Sequence, residues 1–214
     1  MIMGAHALGI RNVLSLTGDH TYLGDVKEAK PVFDLDSATL VKLVREMVDK
    51  KSINGHEIEC PPTLHVGAAA NPNSDPMEAE VLKVGRKAEA GAEFIQTQVV
   101  YDLDKTIEFL RAIKKYNVPI LLGLFPMKSY GFAKGFDTFV PGVDVPKDIL
   151  AKWKRIKTDI TDKKAQKEAY DQANYEFFKP FITELKSKNL LDGVHCMAVH
   201  YPRIFPKLVD VIKG

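Results

Sequence analysis

The sequence holds little of what marks a specialised chemistry or compartment. Two cysteines, Cys60 and Cys196, in 214 residues exclude a disulfide scaffold and a four-cysteine zinc site. They read as reduced thiols of a cytoplasmic protein. No apolar run approaches the roughly 20 residues that a membrane helix needs. The opening MIMGAHALGIRN has no basic stretch followed by a continuous apolar one, so it does not read as a signal peptide. Charge of one sign is scarce too. Thirty Lys+Arg against 28 Asp+Glu leave +2, which gives no reason to expect nucleic acid as a partner. Neither GxGxxG nor the phosphate-binding GxxxxGK motif occurs, so a Rossmann or P-loop nucleotide site is unsupported. HExxH, CxxC and GxSxG are missing as well, which disfavours zinc-protease, thiol-redox and α/β-hydrolase chemistry.

What is present is the balance of a globular chain, 45% hydrophobic and 27% charged, enough for a single domain over residues 1–214. Apolar runs of strand length alternate with longer amphipathic stretches. Strands are expected over Arg11–Thr17, Thr63–Ala70, Glu93–Val100, Val118–Leu124 and Gly193–Val199. Between them the spacing predicts a helix capped by Asp36, one from Pro76 to Gly91, one from Asp104 to Tyr116, and a closing helix over Ile204–Ile212. Five β-loop-α units in succession argue for a parallel sheet, either doubly wound or part of a (β/α)8 barrel. The chain starts on what reads as the end of a helix, Gly4–Gly9, with no strand before it. A complete barrel takes about 250 residues, so earlier strands are expected to be missing or supplied by another chain. The Lys- and Glu-rich stretch 147–189 reads as a helical insertion of one or two helices. Trp153, Ile156, Ile160, Ala165, Tyr170, Tyr175, Phe178 and Phe181 would form its inward stripe. A partner-binding helix is the sharper alternative.

In parallel α/β folds, functional groups gather at the carboxyl ends of strands. Asp19 follows a strand and a glycine, where its charge either tunes a cofactor or caps a turn. Gln96 and Gln98 share a strand face, and an inward-facing amide there pairs either with backbone or with a heterocyclic ring. The small residues before Asn71-Pro72 admit close approach of a flat ring or of a packed helix. His195 and His200 fall on opposite faces, so no shared metal is expected.

Taken together, GIRNVLSLTGDH (Gly9–His20), KPVFDLDS (Lys30–Ser37), VGAAANP (Val66–Pro72), KAEAGAEFIQTQVVYD (Lys87–Asp102), VPILLGLFPMKS (Val118–Ser129), VPGVDVP (140–146) and GVHCMAV (Gly193–Val199) resemble the methylenetetrahydrofolate reductase family. The resemblance implies a (β/α)8 barrel of TIM type, here about five of its eight units. It implies FAD in preference to FMN, and reduction of 5,10-methylenetetrahydrofolate to 5-methyltetrahydrofolate in cytoplasmic one-carbon metabolism. It assigns Asp19 to tuning the flavin and activating the folate, with Thr17 and Gly18 beside it. Phe33, Ala69 and Asn71 would flank the cofactor and Lys87 reach its phosphates. Gln98 would pair with the pterin, with Phe125 and Met127 in the loop Phe125–Ser129 near the substrate. Met197 stands where some relatives place a tyrosine. The family's general-acid glutamate belongs to strands preceding Met1. The electron donor is expected to be NAD(P)H or a donor protein. Self-association, or a partner subunit completing the barrel, is expected. The alternative function is a non-catalytic, reductase-like subunit or fragment that binds a partner chain completing the barrel.

Overall fold

All five expected strands form. In the computed structural model, which describes residues 1–140 and 142–213, they are β1 (Asn12–Ser15), β2 (His65–Ala70), β3 (Phe94–Val99), β4 (Ile120–Leu124) and β5 (Gly193–Cys196). The helices are α1 (Ile2–Ala7), α2 (Ser37–Val48), α3 (Met77–Glu89), α4 (Leu103–Ile113), α5 (Tyr130–Phe139), α6 (Lys147–Asp159), α7 (Lys163–Ser187) and α8 (Phe205–Lys213). Asp36 caps α2 as expected, its Oδ1 accepting from Thr39 N at 2.7 Å. Asp102, Ser129 and Asp162 cap α4, α5 and α7 in the same way. Two expectations need correcting. β5 stops at Cys196 instead of Val199, and α5 occupies a stretch for which the spacing predicts no element. Among the described residues no helix is long and apolar enough to cross a membrane.

The strands are all parallel and lie in the order β1-β2-β3-β4-β5. A doubly wound sheet reverses its order partway; this one does not. With every crossover right-handed, the helices then fall on one face, as in a barrel wall. Val66, Ala68, Ala70, Ile95, Thr97, Val99, Ile120, Leu122 and Leu124 alternate onto that face and are buried. The opposite face carries His65, Phe94, Gln96, Gln98, Leu121 and His195, none of them fully buried. There the Phe94 ring lies over Gly67, where a Cβ would collide with it, and stacks on His65 at 5.2 Å. β1 and β5 pair on one side only, so the sheet is an open arc among the described residues.

β4 connects to β5 through α5, α6 and α7. Trp153, Tyr170, Phe178 and Phe181 are buried from this segment, whereas Ala165 is exposed and lies outside the stripe. Its anchor is Asn174, 1% exposed. Asn174 Oδ1 accepts from Met127 N at 2.9 Å, and its Nδ2 donates to Met127 O at 3.0 Å and Tyr170 O at 2.8 Å. Trp153 Nε1 donates to the same Met127 carbonyl at 3.1 Å. At the other end of the strands, Asp192 Oδ2 accepts from Ile120 N at 2.9 Å and sets β5 beside β4.

Replacing Asn174 by Ala strands the buried Met127 amide, which costs about 1–3 kcal/mol. Urea unfolding should show a lower midpoint with an unchanged m-value. A midpoint equal to that of the unaltered chain would refute the clamp.

Candidate functional site

Three loops at the carboxyl ends of β1, β2 and β3 enclose a cavity of about 360 Å³. Leu14, Leu16, Thr17, Gly18 and Asp19 line it from β1, Ala69, Ala70 and Asn71 from β2, and Gln96, Thr97 and Gln98 from β3. Ser37 contributes from α2, Glu80 and Lys87 from α3, and Met197 from beyond β5. Its volume lies within the roughly 300–1,000 Å³ of small-molecule pockets.

The local backbone explains how these side chains converge. Gly18 adopts φ +73, a left-handed turn that sends the chain away from β1 and leaves Asp19 exposed at the rim. The strand alternation puts Gln96 and Gln98 on the concave face. Gln98 Oε1 accepts from Val99 N at 3.0 Å, which fixes the carboxamide. Thr97 faces the helices and donates to Gln98 O at 2.9 Å while accepting from Gly123 N at 2.8 Å. A Cβ at Gly123 would strike the Thr97 and Gln98 backbone, so β3 and β4 need a glycine there.

The electrostatic centre is the pair Lys87 and Glu80, 7% and 6% exposed. Lys87 Nζ donates to Ala69 O at 2.6 Å and lies 3.9 Å from Glu80 Oε1. That same oxygen accepts from Asn71 N at 3.1 Å. α3 is thereby tied to the end of β2 on both sides of the chain turn. Burial pushes the Lys87 amine below the ordinary lysine value; the Glu80 carboxylate counteracts this, and nearby Lys83 adds to it. A second cavity of about 310 Å³ shares Thr17, Ser37, Glu80 and Lys87 with the first and adds Asp36, Ala38, Lys83 and Arg86. The first turn of α2 opens there. Asp36, which caps it, is held below the usual carboxylate range by the Thr39 amide, with Arg86 adding to the effect.

Thr17, Gly18, Asp19, Ala69, Asn71, Lys87 and Gln98 all line the cavity, and so does Met197. Phe33, Phe125 and Met127 do not. Phe33 is 76% exposed with φ 55, its ring 6.0 Å from that of His20. Phe125 is buried, stacked on Phe136 at 4.2 Å and on Phe132 at 5.7 Å. Met127 is 1% exposed and held by the Asn174 clamp. The motif context of both points to a substrate loop, but α5 folds back over that loop and takes their side chains into the core. Glu80 is absent from the motifs that single out the other lining residues. The available signal is its spacing from Lys87, two helical turns on one face with Val84 between them. His200 lies past the end of β5 with φ 52. His195 shares the register of Gly123, and its Nδ1 is buried with no hydrogen-bond partner among the described residues. Desolvation lowers its pKa. No group of three or more His, Cys, Asp or Glu among the described residues is arranged to hold a metal ion.

A family model described as methylenetetrahydrofolate reductase matches residues 1–212. Methylenetetrahydrofolate reductase 2 of Schizosaccharomyces pombe is 30% identical over 162 residues, covering 72% of this chain and 25% of that protein. Methylenetetrahydrofolate reductase (NADH) 1 of Arabidopsis thaliana is 27% identical, covering 96% of this chain and 33% of its own length. For the 5,10-methylenetetrahydrofolate reductase of Buchnera aphidicola the figures are 26%, 73% and 48%. The chain thus spans between a quarter and a half of these relatives. Among solved structures, an uncharacterized Clostridium thermocellum protein that binds two copies of 5-methyl-5,6,7,8-tetrahydrofolic acid superposes with a TM-score of 0.55 at 16% identity. The match covers 84% of this chain and 58% of that one, and shows a common fold.

Because Lys87 holds its proton less tightly in the fold, the unfolded chain binds more protons in the alkaline window below 10.5. Stability contributed by this group is therefore present above 10.5 and lost as pH falls through the lower, folded value. Urea denaturation at stepped pH should show the rise toward alkaline pH, and Lys87→Met should remove it. An identical slope in the variant would assign that rise to another group.

Proposed function

Since the chain belongs to the methylenetetrahydrofolate reductase family, we propose that it carries the flavin site of an enzyme that reduces 5,10-methylenetetrahydrofolate to 5-methyltetrahydrofolate. The observation that carries this reading is the convergence of Asp19, Asn71, Lys87 and Gln98 on one cavity at the carboxyl ends of the strands. The cavity fits a flat heteroaromatic ring. Ala69 and Ala70 give it a floor without bulk, and backbone and amide groups stand around it. A flavin, when bound, supplies the ring through which a hydride passes from donor to folate.

The chain's own residues would do the rest. Lys87, Lys83 and Arg86 outnumber their partners Glu80 and Asp36, and with the N-terminus of the 12-residue α2 they would give this edge a positive balance suited to the phosphates of a dinucleotide, which favours FAD over FMN. Thr17, Gly18 and Asn71 would orient the ring. Asp19 at the rim would place a negative charge beside it, tuning the ring and favouring cationic character in the folate. The Gln98 amide, with its oxygen already committed to Val99 N, keeps its N–H groups for the pterin edge. Phe125 and Met127 would act from behind by fixing the loop after β4. The hydride source would be NAD(P)H or a donor protein, and the setting cytoplasmic one-carbon metabolism.

A second reading has its own support. The concave sheet face is half-exposed, β1 and β5 are open edges, and His195 Nδ1 lacks a partner on that face among the described residues. A reductase-like subunit completed by another chain, with 147–189 as a helical insertion in its wall, would account for all three. Visible absorbance of the purified chain titrated with FAD separates the two readings. A bound flavin band supports the first, and no binding by the chain alone supports the second.

Asp19→Asn should retain flavin while slowing the folate half-reaction. A unit charge acting over several ångströms at an effective dielectric near 20 is worth about 2–3 kcal/mol, or roughly 30–160-fold. Stopped-flow rates for the two half-reactions test this, and equal slowing of both would reject the assignment.

A further inference from the structure

A cavity of about 400 Å³ that shares no lining residue with the first opens between the loop after β4, helix α7 and the loop after β5. Lys128 and Ser129 line it from the first of these, Lys167 from α7, and His200, Tyr201 and Arg203 from the third. Lys128, Lys167 and His200 form no ion pair among the described residues. Among those residues Lys128 Nζ donates only to the Val199 carbonyl, at 3.2 Å. The carboxylate beside this group, Asp171, is already engaged. It accepts from the Tyr201 hydroxyl and from Arg203 Nε at 3.0 Å, and its side chain is 13% exposed.

That arrangement aims the guanidinium. Nε is held by Asp171, Nη2 donates to Lys167 O at 3.0 Å, and the guanidinium carbon sits 5.2 Å from the Tyr201 ring centroid. Nη1 stays free among the described residues. Ser129 accepts from Phe132 N and keeps its own hydroxyl proton to donate, and the positive end of the 10-residue α5 opens at the same place. His200 is held in the left-handed region at φ 52, at the mouth of the pocket. Two lysines and an arginine thus converge on a walled space where one carboxylate is occupied in fixing the arginine. An anion between them relieves their mutual repulsion. The two lysines also come from segments far apart in sequence, so the cluster is a product of the fold and not of a local charge run.

We infer that this pocket is an anion site for a ligand bearing carboxylate or phosphate oxygens. Its chemistry is the same whether or not the first cavity holds a flavin. Fixed guanidinium and hydroxyl donors suit planar or tetrahedral oxyanions, and lysine supplies adaptable point charges.

Isothermal titration of the 214-residue chain with inorganic phosphate, and separately with citrate, at constant ionic strength tests the site. One anion should bind per chain, and the Lys128→Gln/Lys167→Gln variant should bind on the order of tenfold or more weakly, the loss expected for charged hydrogen bonds. Lys42→Gln, remote in the chain, should bind as the unaltered protein does, and FAD titration should be the same in all three. Tighter phosphate binding supports a phosphate-bearing ligand, and tighter citrate binding supports a polycarboxylate. No anion binding, or equal affinity in the double variant, overturns the proposal. Single variants Lys167→Gln and Arg203→Gln, checked for an unchanged thermal midpoint, keep the test valid if the double variant unfolds.

Discussion

One direction of winding governs this structure. The five strands succeed one another across the sheet in chain order, and under the right-handed rule for parallel crossovers each connection then returns on the same side. The helices therefore bury one face with Val, Ile, Leu and Ala, whereas the side chains of the other face are left half-buried or exposed. That second face can carry amides, two separate histidines and a phenylalanine over a glycine without disturbing the core. The loops at its carboxyl end are held by the core yet free of it, which is where the main cavity forms. The open edges at β1 and β5 come from the same rule, since a sheet that never reverses can lose its edges only by closing on itself.

The buried lysine depends on that geometry. An ammonium group taken from water is costly unless it is paired and hydrogen-bonded. Lys87 meets both conditions, through the Ala69 carbonyl and the Glu80 carboxylate, and Glu80 in turn satisfies the Asn71 amide that strand pairing leaves unused. Sheet end and helix are joined through charge where the polypeptide turns from one to the other. Such a joint places a cation at the cavity wall without a long, mobile side chain reaching in from the surface.

How far the sequence reveals this differs by element. Strand-length apolar runs such as Thr63–Ala70 and Val118–Leu124 are legible because parallel strands buried on one face and half-buried on the other read as continuous apolar segments. The Asp36 cap is legible from its spacing to the first apolar residues of α2. α5 is not, since YGFAKGFDTF carries two glycines and three phenylalanines, poor local evidence for a helix, and forms because two of those phenylalanine rings stack on Phe125. That Phe125 and Met127 turn to the core and not to the cavity is illegible for the same reason. Their environment is set by α5 and by Asn174, 47 residues beyond Met127. The rim residues Thr17, Gly18 and Asp19 are legible because a strand end followed by a glycine fixes their neighbourhood locally. Glu80 looks like one more solvated charge on an amphipathic helix, and only the tertiary contact with Asn71 shows otherwise.

The length of the connection before β5 sets the entropic cost of completing the wall. Contacts joining β2 to β3 and β3 to β4 span 27 and 26 residues, whereas the Asp192–Ile120 bond that starts β5 spans 72. For a flexible chain that difference in loop closure is about 0.9 kcal/mol. The β1–β2 pairing, whose His65 N–Arg11 O bond spans 54 residues, falls between them, so loop closure is cheapest among β2, β3 and β4. β5 is the costliest of these strands to close, and the pocket built partly from the loop after it forms only once β5 is in place.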